Sequence, residues 1–300
     1  MTYFMEEDMK VAIMTDSNSG ITQKEAKELG IKVVPMPFTI DGKEYFEDIN
    51  LTQEQFYEKL LSGSDVSTSQ PSEYYVNEIW DELLKEYDQV VYIPMSSGLS
   101  KTCATLSLSS EKEEYKDKVF VVDNQRISVT QKQSVKDAME LADKGYSGKE
   151  IKDILLEVKM DSDIYITLDT LKYLKKGGRI TPAAAALGGL LKIKPVLLIK
   201  GEKLDKYRMR NRTMENAKTI MIDAIKDTLE GVDVADVHFC VAYTGTEKED
   251  AVLFAEEIKK EFGVKDVVVD PLSLSVSCHI GDGALAIATS KVLPKKYTNK

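Results

Sequence analysis

Apolar residues in this chain follow two alternating rhythms, short continuous runs and stripes repeating every three or four positions. VAIMT at 11–15, VVYIPM at 90–95 and VFVV at 119–122 are continuous runs, as strands read when helices cover both faces of their sheet. Helical patterns lie between them. Thr22 with Glu25, and Thr52 with Gln55, have capping-box spacing, and the first predicts a helix ending near Gly30. IKVVPMPFTI at 31–40 separates the two. Ser72 precedes Val76, Ile79, Trp80, Leu83 and Leu84 on one helical face, and Ser147 with Glu150 opens a helix striped by Ile151, Ile154, Leu155 and Val158. Strands alternating with helices predict a mostly parallel sheet flanked by helices.

MDSD at 160–163 breaks this rhythm, and the boundary between two α/β domains, 1–160 and 161–300, is placed there. Strand IYITL leads to a short helix ended by Gly177 and Gly178, and Thr181-Pro182 reads as cap and first turn of an Ala-rich helix. PVLLIKGEKLDKYRM at 195–209 predicts a hairpin turning at Gly201-Glu202. A helix from about Thr213 to Leu229, strand VHFCVAY, a helix begun by Thr246 with Glu249, and strand VVVD complete the second unit. No internal repeat interrupts this order.

Composition narrows the class. With 300 residues and 43% hydrophobic content the chain can bury two cores. The start MTYFMEEDMK is acidic where an export signal is basic, so a cytoplasmic location is expected. The uncharged stretch Thr181 to Leu191 is far shorter than the roughly 20 residues a bilayer requires. Three dispersed cysteines and two histidines give no metal-ligand spacing, and no metal is assigned. The net charge of −10 conceals an asymmetry: Lys172 to Arg212 carries twelve Lys and Arg against Glu202 and Asp205, a +10 segment leaving −20 elsewhere. An acidic chain is a poor nucleic-acid binder, whereas one basic surface can select an acidic protein or make transient contact with an anionic membrane surface. The same segment also reads as a solvated face whose Lys stems cover apolar area.

Four polar clusters fall where strands end or loops begin, the usual place for ligands in open α/β sheets. They are Ser67-Thr68-Ser69-Gln70-Pro71-Ser72, Ser96-Ser97-Gly98-Leu99-Ser100, Lys176-Gly177-Gly178-Arg179 and His279-Ile280-Gly281-Asp282-Gly283. Singly, each reads as a helix cap, a helix end or a core histidine.

Together and in this order, the clusters resemble the DegV family of fatty-acid-binding proteins. The likeness runs from VAIMTDSNSGIT through TSQPS, SSGLS, LDTLKYLKKGGRI and LLKIKPVL to HIGDG. It implies two α/β domains with one long-chain fatty acid between them and no other cofactor. It also implies a non-catalytic chain that presents the lipid to a separate fatty acid kinase. Thr68 and Ser97 would bind the carboxylate, Ser69 and Ser96 are substitutes, and Arg179 and His279 would complete the anionic end. Arg208, Arg210 and Arg212 lie where family members use an arginine to contact the partner. Leu187, Leu190, Leu191 and Ile193 could line the tail or belong to the core.

This chain departs from the family in having Asp282 for the usual Pro and Lys101 for the usual Gly. Asp282, three residues from His279, is expected to raise the imidazole pKa or repel an acyl phosphate. Two other readings compete. A Ser97–His279 hydrolase lacks the Gly-x-Ser-x-Gly elbow, and Cys278 beside His279 would point away if both lay on a strand. An adaptor would bind protein alone through the basic 172–212 surface and would contain no apolar tunnel.

Overall fold

The computed structural model describes residues 9–186, 193–208 and 212–299. The start Met1–Asp8 and Leu187, Leu190, Leu191, Met209 and Arg210, named above, lie outside the described residues.

The first apolar run forms β1 (Val11–Asp16). Thr22 accepts from Glu25 N to cap α1 (Gln23–Leu29), and Gly30 ends it in the left-handed conformation. The 31–40 run divides into β2 (Lys32–Val34) and β3 (Phe38–Ile40). Pro35 and Pro37 lack the N–H that an unbroken central strand needs. β4 (Lys43–Tyr45) pairs with one side of β3. A reciprocal capping box at Thr52 and Gln55 opens α2 (Gln53–Leu61), after which β5 (Val66–Thr68) pairs with the other side. This small antiparallel sheet delivers Thr68.

Ser72 caps α3 (Glu73–Leu83), followed by β6 (Gln89–Ile93), α4 (Thr102–Ser110) and β7 (Val119–Val121). Then come α5 (Ser128–Asp143) and α6 (Gly148–Glu157), the latter opened by the Ser147–Glu150 capping box. The parallel sheet has the order β2-β1-β6-β7. Trp80 of α3 and Leu106 of α4 pack with Met14 and Tyr92 on one face. On the other, Val135 and Leu141 of α5 and Ile151 of α6 pack with Ile13 and Val91. β2 lies on one side of β1 while β6 and β7 are added on the other, so the strand order reverses between β1 and β6 and makes their carboxyl ends the switch point of the sheet.

The second half begins with β8 (Ser162–Thr167), α7 (Lys172–Gly177) and α8 (Pro182–Ala185), the last capped by Thr181. The expected hairpin is β9 (Val196–Ile199) with β10 (Asp205–Arg208), turning through a left-handed Gly201. After it come α9 (Met214–Thr228), β11 (Val237–Tyr243), α10 (Glu249–Phe262) and β12 (Val268–Pro271). α11 (Leu274–Ile280), β13 (Leu285–Lys291) and α12 (Lys295–Thr298) close the chain. The six strands order as β10-β9-β8-β13-β11-β12, antiparallel except β11 with β12.

Two local expectations change. Lys248 occupies the N-cap of α10 with no side-chain bond, and Thr246 Oγ1 donates to Glu247 Oε1 at 3.5 Å instead of capping. His279 lies on helix α11, not at a strand end. α5 joins the two halves. Val129 at its start packs with Ile164 and Ala242 of the six-stranded sheet, while Val135, Ala138 and Leu141 belong to the core of the parallel sheet. Arg126, 2% exposed, fixes the crossing by donating to the carbonyls of Val158 (2.7 Å) and Lys159 (3.4 Å) and to Ser134 Oγ (3.0 Å). Among the described residues no helix is long and apolar enough to cross a membrane.

Candidate functional site

A cavity of about 280 Å³ lies beyond the carboxyl ends of β1 and β6. Its apolar wall is drawn from both halves, with Met95, Leu99 and Ile127 from the first and Ile164, Ile166 and Ala242 from the second. Four of the six candidate ligand residues line it: Thr68, Ser69, Arg179 and His279.

Thr68 Oγ1 and His279 Nε2 are 2.8 Å apart, a bond between β5 and α11 that brings together residues 211 positions apart. Burial, followed by the nearby Arg179 and Lys176 charges, depresses the His279 pKa to about 4. The ring is therefore neutral at pH 7 and can donate one hydrogen bond and accept another. The expectation for Asp282 is corrected here: the charges acting on the imidazole are cations, and they lower its pKa. Gly177 makes the placement sterically possible, because a Cβ there would sit 2.1 Å from His279 Nδ1. Arg179 donates through Nε to Leu99 O at 3.2 Å and through Nη1 to Gly177 O, which orients the guanidinium within the wall.

Ser96 and Ser97 are placed differently. Ser96 Oγ donates to Gly201 O at 2.6 Å and accepts from Gly98 N at 3.1 Å, locking the SSGLS loop to the β9–β10 turn. Gly98 is required there, since a Cβ would come within 2.8 Å of Glu202 Cα. Ser97 is exposed, its backbone N–H donating to Asp123 Oδ1 at 3.1 Å. Neither serine lines the cavity. Lys101 does, from an exposed position at the start of α4.

Asn18 and Ser275, which no sequence motif marked as ligand residues, also belong to the polar wall. Ser275 Oγ donates to Asn18 Oδ1 at 2.7 Å, and Asn18 Nδ2 donates to Asp16 Oδ1 at 2.9 Å. Asp16 is fully buried, and burial raises its carboxyl pKa despite bonds from Met95 N (2.9 Å), Gln131 Nε2 (3.2 Å) and Asn18 N (3.0 Å). One carboxylate thus orders the ends of β1 and β6 and, through Asn18, the wall formed by α11. Its signal was the Asp16-Ser17-Asn18 run at the end of the first strand.

α11 has two further anchors. Glu47 Oε2 accepts from Leu274 N at 2.8 Å, and burial pushes the Glu47 pKa to about 7. Tyr57 OH and Ser277 Oγ lie 3.0 Å apart.

The hydrolase reading finds no geometry, because His279 Nε2 meets Thr68 while Ser97 faces solvent. Cys278 is buried on α11, with its thiol pKa pushed to about 12 by burial, so it is protonated rather than nucleophilic. Among the described residues no group of His, Cys, Asp or Glu could hold a metal ion. In the basic segment, Lys176, Lys194 and Lys200 pair with Asp65, Asp169 and Asp163. Arg208 on edge strand β10 and Arg212 ahead of α9 are exposed.

Comparison with known proteins agrees with this architecture. Residues 10–292 match a family described as "Uncharacterised protein, DegV family". A DegV domain-containing protein of Clostridium perfringens is 31% identical over 285 residues, covering 93% of this chain and 96% of its own. The structure of a fatty-acid-binding DegV family protein from Thermus thermophilus superposes with a TM-score of 0.86 at 28% identity, covering 95% of this chain and all of that one. DegV of Bacillus subtilis, a fatty acid binding protein, superposes at 0.82 with 26% identity, covering 94% and 99%. The match spans all three sheets and every motif that frames the cavity, and this chain belongs to the DegV family.

Proposed function

We propose that this protein binds one long-chain fatty acid, its tail in the cavity and its carboxylate at the Thr68–His279 end beside Arg179. The observation that carries this reading is an apolar cavity ending in a neutral histidine–threonine pair next to a cation. Burying about fifteen methylenes contributes on the order of 12 kcal/mol at ~0.8 kcal/mol each, before association costs of roughly 4–15 kcal/mol. A carboxylate leaving water needs donors for its oxygens, and Thr68, Ser69, His279 and Arg179 supply them. The two structural relatives that bind fatty acids support the same ligand class.

The chain is cytoplasmic and presents the bound acid to a separate kinase that phosphorylates its carboxylate. Arg208, Arg210 and Arg212 steer that acidic partner. Residues 1–160 and 161–300 are the two domains that hold the lipid between them, and Ser96 and Ser97 lie on the loop after β6, outside the cavity lining. Lipid extraction and mass spectrometry of the purified protein test the central reading. About one fatty acid per chain is expected. Delipidated protein that takes up none of myristic, palmitic, stearic or oleic acid would overturn it.

A further inference from the structure

A second cleft, of about 610 Å³, adjoins the cavity, and Val129 lines both. Both spaces draw lining residues from α5 and β11. On α5, Val129, Lys132, Gln133 and Lys136 face the cleft at helical spacing. That face extends about 10 Å beyond Val129 at 1.5 Å per residue. On β11, alternate residues share a face, so Ala242 in the cavity wall is followed by Cys240 and His238 in the cleft. β13 runs beside them with small residues in register, Ala286 opposite Ala242 and Ala288 opposite Cys240. Val129, Cys240, Ala242, Ala286 and Ala288 form part of one buried apolar cluster. The cation deepest in the cleft is already neutralised, since Lys132 Nζ sits 2.9 Å from Glu25 and 3.0 Å from Asp270. The exposed Lys136 and Lys265 occupy its rim.

We infer that cavity and cleft are two compartments of a single acyl groove, with Val129 as the wall between them. The cleft receives the distal methylenes of acids longer than the cavity holds. This rests on the fatty-acid reading above and adds a chain-length determinant to it. Removing two methyl groups at Val129 lowers the wall, and adding bulk at Cys240 fills the path beyond it.

The test compares palmitic with behenic acid on the delipidated full chain. Val129→Ala should raise the affinity for behenic acid relative to palmitic at least fivefold. Cys240→Ile should lower the same ratio at least fivefold while leaving palmitic affinity within twofold. A ratio that neither variant moves overturns the inference while leaving fatty-acid binding intact. Absence of any binding by the wild type removes the proposed function and this inference together.

Discussion

His279 titrates against its surroundings, and the consequence has a definite sign. Its folded pKa of about 4 lies below the 6.5 of a free histidine, so the unfolded chain takes up the proton first. Its contribution to stability is complete above pH 6.5 and is lost as pH falls through 4, up to about 3 kcal/mol. Urea unfolding of wild type and His279→Gln at pH 7.5 and 5 should show the difference shrinking at the lower pH. Thr68→Val removes the hydroxyl paired with that ring and is expected to weaken palmitate binding by roughly 1–3 kcal/mol, with a smaller change in lipid-free stability. Normal affinity in a competition assay would move the head group elsewhere. Gly177→Ala pushes a methyl into the imidazole and should cost roughly 1–3 kcal/mol in folding stability, together with most of the ligand affinity. Thr68, Arg179 and His279 were legible because motif order marked them. Asn18 and Ser275 were not, since nothing in their local spacing shows that α11 folds back onto the end of β1.

Among the elements, α11 bears directly on the site and is held at its start by a carboxylate ill suited to burial. With a pKa near 7, Glu47 binds its proton more tightly in the folded than in the unfolded chain. The stability it confers is present below about pH 4.5 and lost as pH rises through 7, opposite to His279 over an overlapping window. Glu47→Gln keeps an acceptor for Leu274 N and removes the buried charge. It should raise the melting temperature above pH 7, and the advantage should vanish at pH 4.5, a comparison calorimetry can make. A variant less stable at pH 8 would show that the charge on the helix end outweighs its desolvation. Elements differed in how readable they were. Helices with an apolar stripe and a capping box, such as α2 and α6, could be read directly. α5 could not, because Thr130, Gln131, Lys132, Ser134 and Asp137 are buried together with its apolar residues, so polarity in the sequence does not separate the buried faces from the exposed Lys136, Glu140 and Asp143. β3, β4 and β5 are three residues each, too short for alternation to declare itself.

At the scale of the whole molecule, the halves are bound together by the last residues of the chain. Leu293, 5% exposed, and Tyr297 pack into the core formed by β1, α5 and α6, although both follow the final strand of the other sheet. Lys144 Nζ donates to Thr298 O at 2.7 Å and Lys296 pairs with Glu157. Leu293→Ala should therefore destabilise the first half by roughly 2–5 kcal/mol, the usual cost of emptying a buried leucine site. Chemical denaturation should show one shared transition, and a first half unaffected by the change would mean that the strap is superficial. The parallel sheet was readable from its continuous runs, while the order of the six-stranded sheet was not, because its central pair, β8 with β13, joins residues more than a hundred positions apart and leaves no local trace. That order also bears on synthesis. β13 sits between β8 and β11, so the strand made last occupies the middle of its sheet. Until the ribosome releases it, the nascent chain carries β8-β9-β10 and β11-β12 as separate ribbons with open edges, the kind of surface that recruits other strands. A message truncated just before codon 285 would yield a product that keeps every motif marking the ligand site, through Gly283, yet lacks the central strand and aggregates.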